Sequence, residues 1–204
     1  MGGLDQSAVS LSSAWMRSFI CTISKQERRR DERGEKESEP HMLILDIPGC
    51  ERIELEHLVC DFNGTLAEDG CLWEGVAWRI TRVAAILQVH LLTADTHGTA
   101  QRAAEILQEA CDASDVARPV WERVASGQEK EQYLQRLGAQ SVVAIGNGAN
   151  DVDMLRAAAL SICVMGSEGA CTEALLASQL VVTNPIDALD VILRPSRLTA
   201  TLRQ

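Results

Sequence analysis

Two periods of hydrophobic spacing take turns along most of the chain. Met42–Ile47 and Arg52–Leu55 are short β-prone runs that flank Pro48-Gly49, which predicts a hairpin. His57–Cys60 is a continuous apolar run ending at Asp61. Gly75–Leu87 has a helical period, with Val76, Ile80, Val83, Ala84 and Leu87 on one face. Val89–Leu92 is a short strand ending at Thr93, Thr99–Ala110 is helical, and Val116–Val120 is a weaker strand. Ser126 caps a helix to Leu137, with Glu129 at the capping-box position and Gly138 as its stop. Ser141–Ile145, Ser161–Val164 and Leu180–Val182 are further strands. Between and after them, Asn150–Ala158, Gly169–Ala177 and Pro185–Leu193 are helical. Continuous apolar strands alternating with helices predict an α/β fold whose parallel sheet is covered on both faces. Such sheets bind ligands at the carboxyl ends of their strands. Asp61, Thr93, Trp121 and Gly146-Asn147 are therefore the positions to inspect.

Charge changes the picture at the amino end. Residues 1–41 hold 7 Lys+Arg and 7 Asp+Glu, so the net charge of −10 belongs to residues 42–204. From Lys25 to Glu39, 12 of 15 residues are charged, too polar a stretch to offset its ordering entropy by burial. That stretch is expected to be a disordered or loosely helical tether, residues 1–41 as a whole a disordered or non-native extension, and residues 42–204 the folded core. For the mildly apolar Ser7–Ser24, two readings stand. It is a short docking helix, or part of an upstream extension ahead of a start at Met42. A signal peptide fits poorly, because the basic flank and cleavage site are missing.

The acidic balance argues against a nucleic-acid binder, which needs a basic face, and against docking on anionic lipid. No apolar run approaches a membrane span. Seven scattered cysteines (21, 50, 60, 71, 111, 163 and 171) form no CxxC, so reduced thiols and a cytoplasmic location are expected. His57, His90 and His97 lack metal-ligand spacing, Cys60 reads as a core residue, and Trp73 and Trp78 as packing residues. Neither GxGxxG nor GxxxxGK[ST] follows the first strand, which weakens a nucleotide-cofactor reading.

The strand ends carry Asp61-Phe62-Asn63-Gly64-Thr65-Leu66, then Leu92-Thr93-Ala94-Asp95, then Gly146-Asn147-Gly148-Ala149-Asn150-Asp151, with Lys130 at a helix start between the last two. In this order they resemble the four motifs of the haloacid dehalogenase-like superfamily over about residues 57–183. The first motif has Asn63 where the common phosphatases have the second Asp of DxDGT. In that respect it is similar to the DKTGT of P-type ATPases, as LTAD is to LTGD and GNGAND to GDGxND. The intervals Asp61–Thr93 and Thr93–Lys130, 32 and 37 residues, hold neither a nucleotide-binding insertion nor a cap domain. The resemblance thus points to the soluble, P-type-ATPase-like branch. It implies a Rossmann-like three-layer sandwich, capless, here with an extra N-terminal hairpin. Only Glu68–Glu74 could reach over the site.

The resemblance implies Asp61 as nucleophile, and a strand-end carboxylate is chemically able to attack phosphorus. Thr93, Lys130 and the backbone N–H groups of Phe62, Asn63 and Ala94 would hold the phosphoryl charge, with Gly64 letting the loop approach it. Mg2+ would take oxygens from Asp61, the Asn63 carbonyl, Asn147 and Asp151. Asp95 reads as a helix cap. In the phosphatases position 63 is the general acid/base, which Asn63 cannot be, and loss of such a group costs about 10²–10⁴-fold. Asn147 likewise replaces a metal-binding Asp. The expectation is a slow Mg2+-dependent phosphatase or phosphotransferase acting on small phosphate esters through an aspartyl phosphate. The alternatives are a non-catalytic phosphate-binding or regulatory protein, and a partner-binding module. An open, capless site also leads to the expectation of a homo-oligomer.

Overall fold

The computed structural model describes residues 42–68, 70–94, 99–124 and 126–203. The charged extension over residues 1–41 and the Asp95 cap expected above lie outside these residues. The elements are β1 (Leu43–Leu45), β2 (Ile53–Leu55), β3 (His57–Asp61), β4 (Ala67–Glu68), β5 (Cys71–Leu72), α1 (Val76–Ala84), β6 (Gln88–Thr93) and α2 (Thr99–Ser114). There follow β7 (Val120–Arg123), α3 (Gly127–Leu137), β8 (Val142–Gly146), α4 (Val152–Ala157), β9 (Leu160–Val164), α5 (Thr172–Ala177), β10 (Leu180–Val182), α6 (Pro185–Ile192) and α7 (Pro195–Leu202).

Six strands form one parallel sheet in the order β10-β9-β8-β3-β6-β7. β3 lies at its centre, with Leu58 opposite Val89 on one side and Val143 on the other. Successive side chains of a strand point to opposite faces, and the two cores follow that rule. Leu58, Cys60, Val143, Ile145 and Ile162 pack with Val76, Ile80, Val83 and Leu189 of α1 and α6. Val59, Val142, Ala144 and Cys163 pack with Leu134, Met154 and Leu155 of α3 and α4. The result is the three-layer α/β sandwich. The expected N-terminal hairpin is present as well, with Leu43 opposite Leu55 and Gly49 at φ 86° in its turn.

The helix limits follow local chemistry. The Ser126 hydroxyl accepts from the Glu129 N–H and the Glu129 carboxylate from the Ser126 N–H, so α3 begins in a capping box. Gly138, at φ 89°, ends it. The Asn184 side chain caps α6 ahead of Pro185.

The structure corrects the sequence reading in three places. The strand expected at Val116–Val120 is Val120–Arg123, so Trp121 lies within it rather than after it. The Val116 N–H donates to the Cys111 carbonyl and closes α2 instead. The β4–β5 hairpin and α7 were not expected. Among the described residues only that hairpin separates β3 from α1, and only α2 separates β6 from β7, so no cap domain is inserted. No described helix is long and apolar enough to cross a membrane.

One polar chain is buried in the sheet. His57 Nδ1 and His90 Nε2 share a hydrogen bond of 3.1 Å, and His90 Nδ1 and the Tyr133 hydroxyl one of 2.8 Å. His90 is 2% exposed, and burial, with His57 beside it, pulls its pKa down to about 4. Between about 4 and the ordinary 6.5 the unfolded chain therefore binds the proton more readily, so stability rises with pH through that window. Lowering the pH from 7 to 4.5 should reduce the thermal midpoint of the wild type more than that of His90→Gln. The difference should be roughly 2–5 °C by scanning calorimetry.

Candidate active site

The carboxyl ends of β3, β6 and β8 meet the start of α3, and there the candidate residues converge. Asp61 is the last residue of β3, on the sheet face that α3 covers. Lys130 stands one turn into α3, so its side chain reaches down onto the strand end. It is 1% exposed and donates from Nζ to Asp61 Oδ1 and to Asp151 Oδ1, each at 2.6 Å. Asp151 ends a short 3-10 turn (Ala149–Asp151) and is fully buried. Its Oδ2 accepts from the Asn147 and Gly148 N–H groups at 2.9 and 2.8 Å. A Cβ on Gly146 would stand 2.6 Å from the Asp151 side chain, so glycine is what lets that carboxylate sit against the end of β8.

One cation therefore faces two carboxylates. Burial, with Asp151 beside it, pushes the Asp61 carboxyl up to about 7 in spite of the ammonium. Burial alone would lower Lys130, but the Asp61 and Asp151 charges outweigh it and hold the ammonium above its ordinary value.

The two amides are tied to threonines. Asn63 Nδ2 donates to Thr93 Oγ1 at 3.1 Å, and Thr65 Oγ1 donates to Asn147 Oδ1 at 3.1 Å. The structure thus brings Asp61, Lys130 and Asp151 into direct contact, and pairs Asn63 with Thr93. The Asn147 amide joins the loop after β8 to Thr65, and donates to the Gly169 carbonyl.

Three placements differ from expectation. The Phe62 N–H is not a phosphate donor, because it donates to the Leu92 carbonyl and extends the ladder by one residue. The Phe62 ring is fully buried, edge to face with Trp121. The Gly64 N–H donates to the Ala67 carbonyl, so the use of Gly64 is its φ of 77° in the tight turn. The Asn63 and Ala94 N–H groups are the backbone donors that remain. Asp151 is not placed as a metal ligand, since both its oxygens are engaged and none of it is exposed.

Among the described residues no three His, Cys, Asp or Glu side chains converge as a metal cage. The other expected donors are the Asp61 carboxylate, the Asn63 carbonyl and the Asn147 amide oxygen, of which Asp61 Oδ1 accepts from Lys130 and Asn147 Oδ1 from Thr65. That all-oxygen set, completed by water, fits a hard cation such as Mg2+ and not a soft one.

Sequence reasoning missed the loop after β9. Gly166 and Gly169 pair across a turn, the Ser167 hydroxyl donates to the Glu68 carboxylate of β4, and a Cβ on Gly64 would meet Glu168 at 2.8 Å. The loop therefore touches both the hairpin and the turn after Asp61. Its only signal in the sequence was the pair of glycines.

A family model described as a haloacid dehalogenase-like hydrolase matches residues 16–159. An uncharacterized protein of Methanocaldococcus jannaschii is 42% identical over 82 residues, 40% of this chain and 88% of its own length. Among solved structures, the 3-deoxy-D-manno-octulosonate 8-phosphate phosphatase of Moraxella catarrhalis, crystallised with magnesium, phosphate and KDO, superposes with a TM-score of 0.51. It is 14% identical and covers 73% of this chain and 94% of its own. The cobalt-bound deoxy-D-mannose-octulosonate 8-phosphate phosphatase of Haemophilus influenzae gives 0.50 at 16% identity, over 74% and 94%. At these identities the superpositions speak for the fold alone.

The shift on Asp61 has a stability consequence. Its folded pKa lies above the ordinary 3.8, so the folded state holds the extra proton between about 4 and 7, and stability falls as pH rises through that window. Asp61→Asn should raise the thermal midpoint by about 3–6 °C at pH 8 and by much less at pH 5, where the native carboxyl is already protonated.

Proposed function

The chain belongs to the haloacid dehalogenase-like hydrolases, and from that premise we propose that it hydrolyses or transfers phosphoryl groups of small phosphate esters through an aspartyl phosphate on Asp61. The buried bridge from Asp61 through Lys130 to Asp151 carries this reading. It holds the Asp61 carboxylate at the carboxyl end of the sheet, with Oδ1 anchored by the Lys130 ammonium. The order of the motifs along the chain agrees with it. The likeness to the P-type-ATPase-like branch rests on Asn63 and the LTAD and GNGAND stretches.

In this mechanism the ionised Asp61 attacks phosphorus, and the bond from phosphorus to the leaving oxygen breaks. Lys130 and the Asn63 and Ala94 N–H groups hold the charge on the phosphoryl oxygens, with the Thr93 hydroxyl beside them. Asn63 has no proton to give, so the departing oxygen takes its proton from water. Water then attacks phosphorus, the bond to Asp61 breaks, and phosphate leaves with Asp61 restored as a carboxylate. With no acid/base at position 63 both steps are slow, and an acceptor other than water can compete for the phosphoryl group. A bound Mg2+, held by Asp61 and the Asn63 and Asn147 oxygens, would neutralise charge on the transferring group.

The intervals between the motifs are too short for a cap domain, so a neighbouring subunit or a bulky substrate would exclude water from the site. A cytoplasmic location rests on the scattered cysteines, which form no CxxC.

A second reading, a phosphate-binding protein without turnover, is favoured by the two amides. Each is held in a hydrogen bond to a threonine, where the phosphatases carry an acid.

Two variants separate the readings. With Mg2+ and an aryl phosphate, the wild type should release phosphate and Asp61→Asn should not. Unchanged release from Asp61→Asn removes it from the chemistry, and no release from either protein selects the binding reading. Asn63→Asp should speed release by about 10²-fold or more if the missing acid/base limits turnover. A flat rate would place the limit elsewhere.

A further inference from the structure

Residues 42–204 hold 12 Lys+Arg against 22 Asp+Glu, yet α1 and α7 carry no carboxylate at all. Trp78 of α1 is 46% exposed, on the side of the helix away from the buried Val76, Ile80 and Val83. The guanidinium carbons of Arg79 and Arg82 lie 5.2 and 5.1 Å from its ring centroid. Arg79 also grips the Asp190 carboxylate of α6 through Nε and Nη2 at 2.7 and 3.2 Å. Those hydrogen bonds hold Asp190 below its ordinary value, and the charges of Arg194 and Arg197 push it the same way. Arg82, Arg194 and Arg197 are exposed, and among the described residues no ion pair engages them. Four arginines thus surround one neutralised aspartate and one stacked indole.

We propose that this face docks an acidic peptide segment of a partner protein, with Trp78 as the apolar anchor and Arg82, Arg194 and Arg197 as the charges that receive it. Tryptophan and arginine are the residues most enriched where binding energy concentrates. The stacking of Arg79 and Arg82 holds the indole in place before binding, which lowers the ordering cost. A positive face on a chain of net −10 also orients an approaching acidic segment, because the charge on the rest of the chain is negative on balance. That contrast favours a short peptide over a nucleic acid. A peptide can end within the patch, whereas a long polyphosphate would run on over a chain whose remaining charge is net negative.

The test uses the full chain and a short fluorescein-labelled Glu/Asp peptide with a central leucine pair, followed by anisotropy at low and high salt. The wild type should bind it in the micromolar range, and binding should weaken as salt is raised. Arg82→Glu/Arg197→Glu should bind about tenfold more weakly or not at all, and Trp78→Ala about tenfold more weakly even though its charge is unchanged. If the charge-reversed protein does not fold, Arg82→Gln/Arg197→Gln takes its place. No binding by the wild type, equal binding by the double variant, or tighter binding of a DNA oligonucleotide than of the peptide would each overturn the proposal.

Discussion

A buried ammonium between two carboxylates is the constraint on which the rest of this site depends. Removing three charges from water is costly, and attraction offsets the cost only where geometry is good and the remaining lone pairs are satisfied. Lys130 meets the first condition with two contacts of 2.6 Å. Asp151 meets the second by taking two backbone N–H groups on its other oxygen. Those bonds require the 3-10 turn after β8 and a residue without a side chain at Gly146. The register of α3, the end of β8 and the turn into α4 are thus all set by one electrostatic problem. Asp61 is left with a carboxyl that burial and the neighbouring Asp151 push up to about 7.

The sheet divides its labour by face. On one side Cys60, Ile145 and Ile162 build an apolar layer against α1 and α6. On the other, Asp61 and Gly146 continue the same strands beyond Val59 and Ala144 and meet Lys130 and Asp151. A shift of one residue in β3 would exchange Cys60 for Asp61 and bury the carboxylate among hydrocarbon. Pairing on both edges of β3 guards against that shift.

The elements around β3 were legible in the sequence because they are continuous apolar runs with strong punctuation, as Ser126, Gly138 and Pro185 show. β7 was misplaced because it is an edge strand with Glu122 and Arg123 in it, while the more apolar Val116 closes a helix. The β4–β5 hairpin is held by two-residue strands, too short to leave a period. At the site, motif order found Asp61, Thr93, Lys130, Asn147 and Asp151, but not what each one touches. That Asp151 serves Lys130 and the backbone rather than presenting an oxygen outward depends on burial, which no spacing encodes. The same holds for the Phe62 N–H, engaged with a carbonyl from a strand 30 residues away.

The order in which the three charges appear along the chain has a consequence for synthesis. Asp61 comes first, Lys130 follows 69 residues later, and Asp151 another 21 beyond that. A nascent chain grown only as far as β6 has its central strand paired on one edge, and its Asp61 carboxyl has neither Lys130 nor Asp151 to meet. With α3 added, it has one carboxylate and one ammonium but nothing to hold the pair from the other side. The ion cluster closes only once the turn after β8 has left the ribosome. Assembly of the Asp61–Lys130–Asp151 cluster is thus tied to completion of the fold, and a truncated product carries the aspartate without the full set of its partners.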